Sequence, residues 1–98
     1  MSKIIWLIDE VETELRTYGR KLSRMIPDSI ELKTVLAYRT KEEYLPILEN
    51  PDTVSIILDQ RLKDTGFATY TGMELAQYLR SINTKIPIYI SSGFNKNR

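Results

Sequence analysis

The chain contains no cysteine and no histidine. Their absence excludes disulfides, thiolate chemistry, histidine-ligated metals and every Ser-His or Cys-His mechanism within these residues. A metal held here needs oxygen ligands, which favours magnesium, manganese or calcium. Long apolar runs are missing too. "MSKIIWLIDE" offers only the run IIWLI before two acids, less than the apolar region of a signal peptide and far less than a membrane span, so a cytoplasmic location is the expectation. Nor is there an excess of either charge: 14 basic and 13 acidic residues leave a net charge of +1. With no basic stripe, neither nucleic acid nor a membrane surface is expected as a partner. The terminal "NKNR" reads as a short solvated end.

What is present is an alternation of apolar patterns. "KIIWLI" (3–8) is a β-rich run of the kind covered on both faces in a parallel sheet. From Val11 the period changes: Val11, Leu15, Tyr18, Leu22 and Met25 form one helical stripe, with acids early and bases late. "PDS" at 27–29 ends that helix, and "IELKTVLAY" (30–38) reads as a second strand. Thr40 and Glu43 make a capping box, and Pro46 predicts that the helix they open is short or kinked. "NPD" at 50–52 closes it before a third strand at 54–58. Residues 60–71 form a connection longer than most strand-to-helix loops, which implies a task or mobility. Thr71 and Glu74 then cap a helix whose buried face is Leu75, Ala76, Leu79 and Ile82, and "KIPIYI" is a fourth apolar run. Trp6 and Tyr89, inside apolar runs, are expected in the core. The order β-α-β-α-β-α-β implies a doubly wound α/β domain with a parallel sheet and helices on both faces, spanning residues 1–98 as a single unit.

Three of the four apolar runs end in groups able to do chemistry: Asp9-Glu10, Asp59, and Ser91-Ser92-Gly93. Each alone has an ordinary role. Asp9 suits a cap, Glu10 a solvated first-turn acid, Asp59 a turn, and the serines a loop. Arg61, Lys63 and Asp64 read as solvated loop. In an open α/β sheet, however, ligands bind beyond the carboxyl ends of the strands at the topological switch point. If strands one, three and four are neighbours, these groups meet there. Three close carboxylates repel, and one takes up a proton unless a cation lies between them. With no histidine or cysteine, a hard divalent cation is the natural partner, and magnesium-assisted phosphoryl chemistry is the matching reaction class. The "SSG" hydroxyl and amide groups suit phosphate oxygens.

Taken together, "IIWLIDE", "VSIILDQRL", "TGMELAQYLR" and "IPIYISSG" resemble, in order, the first strand, phospho-acceptor strand, third helix and fourth strand of the receiver domain of bacterial response regulators. The resemblance implies a flavodoxin-like strand order, 2-1-3-4, with the fifth strand and last helices missing. It implies that Asp59 accepts a phosphoryl group from a phosphohistidine on a histidine kinase or phosphotransfer protein. Mg2+ would be held by Asp9, by Glu10 through water, by Asp59 and by the backbone carbonyl of Arg61. Ser92 would be the switch hydroxyl and Gly93 the small residue beside the phosphoryl group. The output would be a changed surface for a downstream effector, not metabolic catalysis.

This chain departs from the family in the loop after Asp59, which lacks the usual proline, and in the family's lysine after a fifth strand, which this sequence does not contain. An incomplete sheet would leave strand four as an apolar edge, so self-association or strand addition there is a further expectation. The competing reading is a pseudo-receiver, the same fold binding proteins without phosphorylation. A haloacid-dehalogenase-type phosphatase needs a second aspartate where "DEV" places Val11, and no P-loop motif is present.

Overall fold

A computed structural model describes residues 3–91. The chain runs β1 (Lys3–Asp9), α1 (Glu12–Ser23), β2 (Ile30–Leu36), a 3₁₀ turn (Lys41–Tyr44), α2 (Leu45–Glu49), β3 (Thr53–Asp59), α3 (Gly72–Ile82) and β4 (Ile88–Ser91). The four strands are all parallel, in the order β2-β1-β3-β4. This is the α/β, flavodoxin-like arrangement expected from the alternating pattern. Among the described residues no helix is long and apolar enough to cross a membrane.

The strands alternate their side chains between two helical layers. Leu7 faces α1, where a Cβ added at Gly19 would lie 3.9 Å from it. Its neighbour Ile8 points the other way, into a core with Ile56, Leu58, Leu75 and Leu79. Accordingly α1 packs on β1 and β2, and α2 and α3 on the opposite face over β3 and β4. Trp6 joins the margin of the core, and its indole N–H donates to Thr53 Oγ1 at 2.8 Å.

Three residues expected inside lie outside, for local reasons. Met25 is exposed because α1 ends at Ser23 and the residue falls past the helix. Ile82 is exposed as the last residue of α3, where the apolar face has already turned from the sheet. Tyr89 is 58% exposed, because alternation from buried Ile88 turns it to the α1 side of the sheet while α1 sits over β1 and β2. Strand two ends at Leu36, two residues sooner than the pattern suggests.

Pro46 acts as its chemistry requires. It occupies the first turn of α2, where its missing N–H costs no internal bond, and the residues before it form a 3₁₀ turn instead. Glu43 accepts hydrogen bonds from the Thr40 N–H and hydroxyl, closing the cap at that turn. The capping box opening α3 is complete: Glu74 N–H donates to Thr71 Oγ1 at 3.1 Å, and Thr71 N–H donates to Glu74 Oε1 at 2.8 Å.

The long connection from Gln60 to Thr71 is anchored. Leu62, Ala68 and Tyr70 are buried, and Gly66 turns the chain at a φ of 87° that only glycine adopts readily. Tyr70 closes a hydrogen-bonded ring. Its hydroxyl donates to the Tyr38 carbonyl at 2.5 Å, the Tyr38 N–H donates to Tyr44 Oη at 2.8 Å, and Tyr44 and Tyr70 hydroxyls meet at 2.6 Å. Since the Tyr70 proton goes to the carbonyl, Tyr44 donates to Tyr70. Burial raises the pKa of both phenols, so both stay neutral. The ring ties the loop to the exit of β2 and the start of α2. Tyr44→Phe strands the Tyr38 N–H, and should cost about 1–3 kcal/mol in urea unfolding. Tyr78→Phe, outside the ring, should change stability by less than about 0.5 kcal/mol. Equal effects would mean that the ring contributes no more than a phenol outside it.

Candidate functional site

β1 and β3 are adjacent, and both end on aspartate. The chain leaves β1 toward β2 on one side and reaches β3 and β4 on the other, so the strand order reverses between them. Asp9 and Asp59 therefore stand at the switch point, each only 4% exposed. Asp59 is paired in register with Ser91 of β4, and the Ser91 carbonyl accepts from Gln60 N–H at 2.9 Å. The expected meeting of strands one, three and four is thus what the fold produces. Ser92 and Gly93 lie outside the described residues.

Asp9 does structural and electrostatic work at once. Its Oδ1 accepts from the backbone N–H of Glu10 at 2.6 Å and of Val11 at 3.2 Å, turning the chain from β1 toward α1. Those bonds favour the carboxylate, yet the pKa of Asp9 is raised from 3.8 to about 6. Burial is the larger cause, and the charge of Asp59 the second. Mutual repulsion of the acids was foreseeable from the sequence; the larger share due to desolvation was not, because it depends on how deeply the strand ends sit.

Glu10 is half-buried, and its pKa is also raised, first by burial and further by the charges of Asp64 and Asp59. Its Oε1 accepts from Thr65 N–H at 3.0 Å, so the carboxylate holds the β3–α3 loop. Arg61 N–H donates to Asp59 Oδ2 at 3.2 Å. The Arg61 carbonyl accepts from Asp64 N–H at 3.3 Å, a long bond that leaves a second lone pair for another partner. The Arg61 guanidinium pairs with Asp64 at 2.7 Å with both side chains about half exposed, an ordinary surface contact.

Two features that hold the site had no obvious sequence signal. Gly72, the first residue of α3, lies so close to the end of β3 that an added Cβ would fall 2.5 Å from the Asp59 carbonyl oxygen and 2.8 Å from Gln60 Cα. Gln60 then caps that helix: its carbonyl accepts from Gly72 N–H at 3.0 Å and its Oε1 from Met73 N–H at 2.8 Å. The helix start is thereby clamped to the residue after Asp59. Only the "TG" before an apolar helical stripe hints at this close approach.

Among the described residues no three acidic side chains form a ready metal cluster. Magnesium commonly takes only one or two carboxylates and keeps several waters. Asp9 and Asp59, buried and mutually repelling, offer oxygen donors whose chemistry suits a hard divalent cation; Glu10 and the Arg61 carbonyl are their neighbours in sequence. In comparisons with family models, curated proteins and solved structures, no significant match to this chain was found.

The raised pKa of Asp9 has a definite sign. The folded state holds this proton more tightly than the unfolded chain, so its contribution is full below about pH 4 and is lost as pH rises through about 6. Asp9→Asn keeps the Oδ1 acceptor and removes the charge. It should stabilise the protein at pH 7 by about 1–3 kcal/mol and flatten the pH dependence of melting between pH 4 and 7. An unchanged slope would show that Asp9 is not strained in its charged form. Gly72→Ala meets backbone, which cannot yield cheaply, and should cost about 1–3 kcal/mol in the same melts; a neutral result would mean that α3 is not clamped to β3.

Proposed function

We propose that this domain is a phospho-accepting receiver module of a two-component or phosphorelay system, working in the cytoplasm. The observation that supports it most is the pair of buried aspartates ending β1 and β3 at the switch point, with Glu10 beside them. In this reading a histidine kinase or phosphotransfer protein supplies a phosphohistidine. An Asp59 carboxylate oxygen bonds to phosphorus as the phosphorus–nitrogen bond to the donor imidazole breaks, and the imidazole leaves with its electron pair. Asp9, Asp59 and the Arg61 carbonyl would hold Mg2+, with Glu10 reaching it through water. When bound, the ion would neutralise charge on the phosphoryl oxygens. Ser92 and Gly93 are the proposed phosphoryl contacts, from the sequence alone.

The protein's own residues have clear tasks here. Asp9 and Asp59 concentrate negative charge where a cation lowers the electrostatic cost most. Arg61 N–H orients Asp59 through Oδ2. Glu10 links the charge state of the site to the β3–α3 loop through Thr65, so the loop is a natural surface for reporting phosphorylation to a downstream effector. That same bond favours one competitor: with the Glu10 carboxylate committed to the loop, a pseudo-receiver that binds partners without phosphorylation is the second reading.

The two readings separate in a thermal-shift experiment. Millimolar Mg2+ should raise the melting temperature of the wild type at pH 7, and beryllofluoride should raise it further only when Mg2+ is present. Asp9→Asn should lose most of the magnesium response, and Asp59→Asn should lose the beryllofluoride response. A wild type indifferent to both additions would favour the pseudo-receiver.

A further inference from the structure

Among the described residues β2 and β4 are the edges of the sheet, and they differ in what occupies them. β4 has four residues and begins just after Pro87. The Pro87 and Ser91 carbonyls accept from N–H groups of Ile56 and Gln60 on the β3 side, so alternation turns the Ile88 carbonyl outward. There it accepts a hydrogen bond from Arg80 Nη2 at 2.6 Å. A strand arriving at β4 meets an edge on which the Ile88 carbonyl is already occupied.

β2 has seven residues, each in register with β1, and among the described residues it pairs on that side alone. Ala37 N–H points inward to the Asp9 carbonyl at 2.9 Å. Alternation then turns the backbone N–H and C=O groups of Leu32, Thr34 and Leu36 outward. The side chains of the same three residues line the α1 side. Between them and α1 run two adjoining hollows of about 330 and 340 Å³, sharing Leu15, Arg16 and Thr34. Leu32 and Leu36 supply apolar surface over the buried Leu15, while the rim carries Arg16 and Arg20 against the single acid Glu12. Arg16 is shared with Glu12 at 3.7 Å; Arg20 is exposed and makes no ion pair among the described residues.

We infer that the β2 edge and its α1 groove bind an acidic, extended segment of a partner protein. The segment adds as a strand beside β2, placing carboxylates against Arg20 and Arg16 and an aliphatic side chain over the leucines. Charge complementarity selects this occupant over a second copy of the chain. A second β2 added antiparallel turns Leu32, Thr34 and Leu36 to the groove, and β4 reads IYIS, so neither brings a carboxylate to the rim in that arrangement. Glu31 and Lys33, exposed on the edge strand, discourage a purely apolar one. The inference does not depend on phosphorylation of Asp59.

The probe is a capped heptapeptide with glutamate at its second and sixth positions, isoleucine at the fourth and threonine elsewhere, beside a twin with lysine for glutamate. NMR titration of the full chain should saturate with the glutamate peptide and slow amide exchange at Leu32, Thr34 and Leu36. The lysine twin should bind about tenfold or more weakly, salt should weaken the glutamate peptide, and Arg20→Glu should weaken it about tenfold with an unchanged circular dichroism spectrum. Arg20→Gln should fall between, which guards against a fold defect in the charge reversal. Equal binding of the two peptides, or no protection of those amides at millimolar peptide, would overturn the proposal. So would protection that grows with protein concentration alone, which would assign the edge to a second copy.

Discussion

The cost of keeping two carboxylates buried side by side organises this molecule. Asp9 and Asp59 end neighbouring strands, and each is nearly inaccessible to water. Burial holds one proton on Asp9 up to a pKa of about 6, and the charge of Asp59 adds to it. A sequence selected only for stability would put a neutral residue at one of these positions, since an uncompensated buried charge destabilises. Two at once stand at the point where an open parallel sheet binds its ligands, and the proposed cation site rests on that placement.

The surroundings hold this strained pair in place. Two Asp9 hydrogen bonds turn the chain into α1, Gly72 and Gln60 clamp the start of α3 to the end of β3, and Glu10 fastens the loop that follows Asp59. The three-tyrosine ring anchors the far end of that loop. The loop is therefore tied at Thr65 on the acidic side and at Tyr70 on the core side. In the proposed reading, a change of charge at the acids would bear on the loop through the Glu10–Thr65 contact, the bond that joins them.

Much of the fold was legible because local rules and tertiary structure agree. The shift from the run at 3–8 to the helical period after Val11, the capping boxes at Thr40 and Thr71, and Pro46 all specify what is found. The errors fall where periodicity says nothing about which neighbour covers a face: Met25, Ile82 and Tyr89 fit the apolar pattern but sit at element ends or on the side of the sheet away from a helix. The site was legible in part. Asp9, Glu10 and Asp59 announced themselves by ending apolar runs, and parallel pairing brings them together. Gly72, Thr65 and the tyrosine ring did not, because their roles depend on contacts between residues far apart in sequence. The long polar loop implied a task or mobility, and its buried Leu62, Ala68 and Tyr70 make it part of the core.

The two proposals concern different parts of the sheet: charged chemistry at the carboxyl ends of the inner strands β1 and β3, and protein recognition along the β2 edge. The central claim is the first, that Asp59 is a nucleophile toward phosphorus. Its most direct test is intact-mass spectrometry after incubation with a small acyl phosphate and Mg2+, followed by peptide mapping. The account predicts a gain of one phosphoryl group, dependent on Mg2+, removed by hydroxylamine and located on Asp59. No adduct under these conditions, or the same adduct in Asp59→Asn, would contradict it.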